Sequence, residues 1–108
     1  MLLSNPISKC IYLVEAKLAD GADKEAWNNW YDNTHIPELL SVPGFRTATR
    51  YRQLHRSNHY LAGYEIDHKN VFEEDRYREV AGWASWAPDI ASWNRVVLEV
   101  VRSEFPTI

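Results

Sequence analysis

The stretch Trp27-Asn28-Asn29-Trp30-Tyr31-Asp32-Asn33-Thr34-His35-Ile36-Pro37-Glu38-Leu39-Leu40-Ser41-Val42-Pro43-Gly44-Phe45 organises this chain. Helix formers from Lys24 to about Asn33 carry bulky residues at Trp27, Trp30 and Tyr31, and Asp20 or Asp23 stands ready to cap them, so a first helix is expected there. Pro37 limits it. His35-Ile36-Pro37 therefore marks a kink or a break before a short turn through Glu38-Leu39-Leu40, and Pro43-Gly44 ends the segment.

On either side the period changes to two. Lys9 to Leu18 sets Cys10, Tyr12, Val14, Ala16 and Leu18 against Ile11, Leu13, Glu15 and Lys17, and Phe45 to Leu54 alternates in the same way. Both read as strands. The short polar stretch Arg56-Ser57-Asn58 separates the second from a third, Tyr60 to Ile66, which suggests an antiparallel hairpin. Asn70 and Glu73 have capping-box spacing for a helix from Val71 to Ala81, ended by Gly82. After a looped or weakly helical segment, Trp83 to Ser92, a last strand is expected from Asn94 to Val101.

The order β, α, β, β, α, β is the split βαβ plan of the ferredoxin-like α+β fold, with two helices on one face of a four-stranded antiparallel sheet. One such domain takes up residues 1–108. The bare face, expected to carry Leu13, Val97 and Val101, needs cover, and a second copy packed about a two-fold axis supplies it. A homodimer is therefore expected.

Composition narrows the function. The 12 basic and 15 acidic residues give a net charge of -3 without a basic block, so nucleic acid and anionic membranes are not expected partners. Cys10 is the one cysteine, and His35, His55, His59 and His68 lack metal-ligand spacing, so no metal site is expected. Glycine-rich phosphate loops and nucleophile elbows are absent from the sequence. Met1 to Pro6 lack the basic start of a signal peptide and no apolar run approaches membrane length, which points to the cytoplasm. Aromatic residues make up 13% of the chain, enough to serve a core, an interface and a pocket for a flat apolar ligand.

The strand patterns locate that pocket. Tyr12, Val14, Ala16, Thr47, Thr49, Tyr51, Tyr60, Ala62, Tyr64 and Ile66 form a charge-free set expected to face the helices, while Glu15, Lys17, Arg46, Arg50, Arg52 and Glu65 fall on the other side, where Arg50, Arg52, Glu15 and Glu65 are expected to pair across strands or subunits. Trp27, Tyr31 and His35, four apart, bring one helical stripe onto the charge-free face. His35 is the candidate acid or base, and Asp32, three residues before it, is either the carboxylate that orients its ring or a solvated surface residue. Tyr31 and Tyr64 are candidates to hold a substrate oxygen. Trp27, Tyr12, Thr49, Tyr51 and Trp86 are expected to shape the pocket.

The segment Trp27 to Phe45 also resembles the EthD-like branch of the dimeric α+β barrel superfamily. There, a W-Y-x-x-x-H-x-P segment leads into V-P-G-F and an Ala-Arg-Tyr strand, here Ala48-Thr49-Arg50-Tyr51, while Tyr60-Leu61-Ala62-Gly63-Tyr64-Glu65 is similar to that branch's third strand. The resemblance spans about Ile11 to Val101. It implies a cavity between sheet and helices in each subunit, usually without a metal or organic cofactor, with His35 at the H-x-P position and Tyr31 one turn before it. The superfamily includes cyclases, isomerases and small quinone-forming monooxygenases, so the resemblance fixes fold better than activity. The expected function is a cofactor-independent lyase, isomerase or cyclase acting on an aromatic or polyketide-like small molecule. The alternatives are a cofactor-independent monooxygenase of phenols or a non-catalytic carrier of aromatic ligands.

Overall fold

A computed structural model describes residues 10–107. The expected strand start at Lys9 and the reading of Met1 to Pro6 lie outside these residues. Strand β1 (Cys10–Leu18) enters the centre of the sheet, flanked on one side by the hairpin of β2 (Phe45–Arg52) and β3 (His59–Ile66) and on the other by β4 (Ile90–Glu99). The order β2-β3-β1-β4 is antiparallel throughout, which is the ferredoxin-like arrangement.

The segment after β1 folds as expected up to the proline. Asp23 caps α1 (Lys24–Trp30) by accepting from the Ala26 backbone N–H at 3.1 Å. The chain then does not break at Pro37. It widens into a π-turn over Tyr31–His35, closed by the Ile36 N–H on the Tyr31 carbonyl, and continues as α2 (Ile36–Leu40). A proline cannot bond to the carbonyl four residues back and its ring presses on it, so a wider turn carries the helix past the obstruction. Gly44 then turns the chain at φ +95° into β2.

The second helix layer is shorter than the capping pattern suggests. His68, rather than Asn70, caps a 3-10 turn over Lys69–Glu73 through its ring nitrogen on the Asn70 N–H at 3.2 Å, and α3 occupies only Asp75–Val80. A further 3-10 turn, Ala84–Asp89, leads into β4. That strand starts four residues before the expected Asn94, because a shift in register at Lys17/Leu18 lets Ile90 pair with Leu18. Val101 lies beyond its end.

Two face assignments change. A register shift between Phe45 and Thr47 rotates the rest of β2, so that Ala48, Arg50 and Arg52 stand opposite Tyr64, Ala62 and Tyr60. Thr47, Thr49 and Tyr51 are thereby carried to the open face, opposite Glu65, Gly63 and Leu61, contrary to expectation. On β4, Val97 pairs with Tyr12 and so points to the helix side, while Val96 and Leu98 join Leu13 and Ile11 on the open face. Within the single chain, Glu65 accepts from Thr47 at 2.7 Å and Glu15 from Gln53 at 3.1 Å, while Arg50 makes its structural pair with Asp32 at 2.8 Å from the helix side instead of from this face.

The core lies between the sheet and α1, α2 and α3, around Tyr12, Leu18, Trp27, Tyr31, Leu39, Val42, Phe45, Tyr64, Ile66 and Val71, all buried. Cys10 packs partly buried at its margin. Because α3 is only six residues long, the sheet toward β4 is incompletely covered, and Trp93 and Val97 stay 52% and 42% exposed on the helix side. A cavity opens under this gap.

Candidate functional site

A cavity of about 260 Å³ opens between β1, β3 and β4 below and the π-turn, α3 and the Trp83 turn above. Its wall is mainly aromatic, from Tyr12, Tyr31, Tyr64, Tyr77, Trp83 and Trp93, with Val14 and Leu39 between them. Two hydrogen-bonded clusters and the His35 imidazole interrupt it. The Tyr31 and Tyr64 hydroxyls share a hydrogen bond of 2.8 Å, and the Tyr12 and Tyr77 hydroxyls approach to 3.3 Å with Arg95 donating to both, at 3.4 and 3.2 Å.

Three of the candidate residues line this space together: His35, Tyr31 and Tyr64. The π-turn holds the first two in line with Trp27. The Trp27 and Tyr31 rings meet edge to face at 5.3 Å, Tyr31 and His35 at 5.0 Å, and the back of the His35 ring stacks on Trp30 at 4.7 Å. Among the described residues no hydrogen bond fixes the imidazole, which is 5% exposed and keeps its nitrogens for whatever enters. Asp32 does not orient it; that carboxylate accepts from Arg50 at 2.8 Å.

Burial sets the protonation states. Desolvation, helped by the nearby Arg50 charge, lowers the His35 pKa to about 4, so the ring is neutral at pH 7 instead of titrating near neutrality. Burial likewise pushes Tyr31 up to about 12, and raises Tyr64 further, since an anion there would also face the Tyr31 oxygen. Both phenols stay protonated. In such a pair one hydroxyl donates to the other, and the second proton is free for a ligand oxygen.

Of the residues expected to shape the pocket, Tyr12 lines it. Trp27 is fully buried behind Tyr31, against Tyr60 and Trp83, and serves as packing. Trp86 sits one layer back, 6.5 Å from Trp30. Thr49 and Tyr51 are on the far face, removed by the shift in β2. In their place the structure brings Tyr77, Trp83, Trp93 and Arg95. Arg95 alternates in phase with Trp93 and Val97 along β4, a signal present in the sequence, but only the pairing of Arg95 with Val14 says which face that phase meets.

Arg50 is the other unforeseen feature. The shift in β2 buries its guanidinium over the Tyr31 ring at 4.2 Å and the Trp27 ring at 5.0 Å, where Nε and Nη2 have no protein partner among the described residues. It braces the stripe from behind. Among the described residues no cluster of side chains is arranged to hold a metal ion, and no helix is long and apolar enough to cross a membrane.

These features define a class: a ferredoxin-like α+β domain with an aromatic, uncharged-phenol cavity between sheet and helices. No protein-family model matches the sequence, and no curated protein is similar to it. Solved structures share the fold. A monooxygenase from the ActVA-Orf6 gene of Streptomyces coelicolor, in complex with nanaomycin D, superposes with a TM-score of 0.70 at 13% identity over 93% of this chain and 94% of its own. SnoaB, a cofactor-independent oxygenase from Streptomyces nogalater studied as a mutant, gives 0.69 at 13% identity over 90% and 97%. An ethyl tert-butyl ether D (EthD) family protein from Bacillus halodurans gives 0.63 at 22% identity over 85% and 99%. The likeness read from the Trp27 to Phe45 segment thus extends to the fold. At these identities the fold is what is shared.

Proposed function

We propose that this protein is a cofactor-independent monooxygenase that oxidises a small electron-rich phenol with molecular oxygen in the cavity beneath the π-turn, each chain acting within a homodimer. The observation that carries the reading is the convergence of a neutral imidazole and a protonated phenol pair on one aromatic-walled space. The oxygenase neighbours support this reading over the lyase, isomerase or cyclase first expected, which would use the same residues without oxygen.

Oxygen accepts electrons one at a time from an electron-rich anion, so the protein's task is to make and hold that anion. His35 takes the phenolic proton while the free hydroxyl of the Tyr31–Tyr64 pair donates to the oxygen left behind. Transfer to a base of such low pKa is uphill unless the anion is stabilised, which makes the phenol pair as necessary as the imidazole. The phenolate passes one electron to oxygen, and the resulting radical and superoxide join at the ring carbon para to the phenolic oxygen. The His35 proton completes the hydroperoxide. Loss of the hydrogen on that carbon with the distal oxygen then releases water and leaves a quinone. Phenol and oxygen give quinone and water, with one atom of the oxygen molecule in each product.

An oxygen electrode tests this with 1-naphthol and other 1-naphthols that keep the hydrogen para to the hydroxyl. Uptake matched by naphthoquinone formation and reduced roughly a hundredfold in His35→Ala is expected. Intact recovery of every tightly bound phenol would instead mark a carrier, and conversion without oxygen uptake would mark acid-base chemistry alone.

A further inference from the structure

We infer that the cavity selects aromatic ligands bearing a carboxylate, which the Arg95 guanidinium receives at the mouth. This rests on the reading of the cavity as a substrate site and names the class of substrate it takes. Arg95 carries the one formal charge on the described wall, since His35 is neutral there, and that charge is positive in a chain whose net charge is -3. No carboxylate of the described residues pairs with it, whereas the other arginine on this side of the sheet among the rings, Arg50, has Asp32 at 2.8 Å. A guanidinium presents five donors in a planar fork suited to a carboxylate. Only Nη1 of Arg95 is engaged, and its two phenolic acceptors are distant at 3.4 and 3.2 Å, so Nε and Nη2 have no described acceptor.

The position is built rather than incidental. Arg95 stands beside Val14 on β4, and its guanidinium lies over the faces of Tyr12 and Phe72 at 5.7 and 5.4 Å. Those rings are themselves held edge to face at 4.7 Å. They carry the guanidinium to the rim while the uncharged phenols and imidazole form the rest of the wall. A ligand with an ionised group and a neutral phenol on separate ring carbons satisfies both environments, because the carboxylate stays near water and the phenol is buried.

The test uses 5-hydroxy-2-naphthoate and its methyl ester, which differ little in size but differ in charge, with affinities measured by calorimetry in the absence of oxygen. The acid is expected to bind at least about tenfold more tightly than the ester. Arg95→Gln should abolish that preference while still binding the ester, which reports an intact cavity, and Arg95→Lys should restore only part of the preference. Equal binding of acid and ester by the unmodified protein, or a preference that survives in Arg95→Gln, overturns the inference and leaves the cavity as a phenol site. Failure of both ligands to bind overturns the reading of the cavity and the inference together.

Discussion

His35 sits where a small change in protonation has two separable consequences. Its pKa is lowered to about 4 from the 6.5 of an exposed imidazole, so between these values the unfolded chain holds a proton that the folded chain does not. Stability contributed by the neutral ring is complete above pH 6.5 and is lost as pH falls toward 4, by roughly 3 kcal/mol in all. Urea midpoints followed over that window should therefore fall less steeply for His35→Gln than for the unmodified protein. Catalysis should depend on the same ionisation in the same direction: the His35 limb of the pH–rate profile is flat from about pH 5 upward and declines as pH approaches 4. At this scale the sequence was informative for Tyr31 and His35, because a spacing of four survives the π-turn well enough to keep both on one stripe. It was not informative for Arg95 or Tyr77, whose roles depend on which strand and which helix face each other. No local spacing encodes that.

Among the elements, β2 and its approach separate what alternation can and cannot tell. The alternating pattern located the strand correctly, but the shift between Phe45 and Thr47 exchanged its faces, bringing Arg50 inward and sending Thr49 and Tyr51 out. The pairing, not the order of residues, reveals the shift. Truncating Arg50 should cost about 2–4 kcal/mol, since its stem and guanidinium pack against Trp27 and Tyr31 and its loss strands a cavity there, while Thr49→Ala should stay within about 0.5 kcal/mol. Chemical denaturation of both variants checks the assignment, and equal losses would return Thr49 to the core. Gly44 offers a sharper case. Its φ of +95° disfavours any side chain, and a Cβ there would come within 2.3 Å of the Val71 side chain, so Gly44→Ala should lose roughly 2 kcal/mol or more and lower the thermal midpoint. The helices were legible as elements and not as lengths. The capping pattern at Asn70 and Glu73 promised an 11-residue helix where the chain forms a 3-10 turn and a six-residue α3, with the cavity lined by Tyr77, Ala81 and Gly82 at and just beyond its end.

For the whole molecule, the open face of the sheet is an unsatisfied feature among the described residues. Ile11 and Leu13 on β1, Leu61 on β3 and Val96 and Leu98 on β4 form an apolar centre, with Thr47, Thr49 and Tyr51 beside it. Val96 and Leu98 are both 44% exposed in the single chain. Burial of such a face against a second copy is the proposed source of the dimer. Sedimentation equilibrium should give twice 12.6 kDa, and Leu13→Arg should shift the population to monomer by placing unpaired charges at the centre of the interface. A monomer at micromolar concentration would leave the face without that role. Element order and the need for a covered sheet were readable from periodicity. Which residues make the cover was not, since Val97 proved to belong to the cavity side.

The chemistry assigned to that cavity is tested most directly by following isotopically labelled oxygen gas through turnover of 1-naphthol in a protein stripped with a chelator. The account predicts one labelled oxygen atom in the naphthoquinone and one in water for each oxygen molecule consumed, with the signal nearly absent in His35→Ala. Equal turnover with oxygen removed, or a quinone carrying only unlabelled oxygen under conditions where its carbonyls do not exchange, would contradict it.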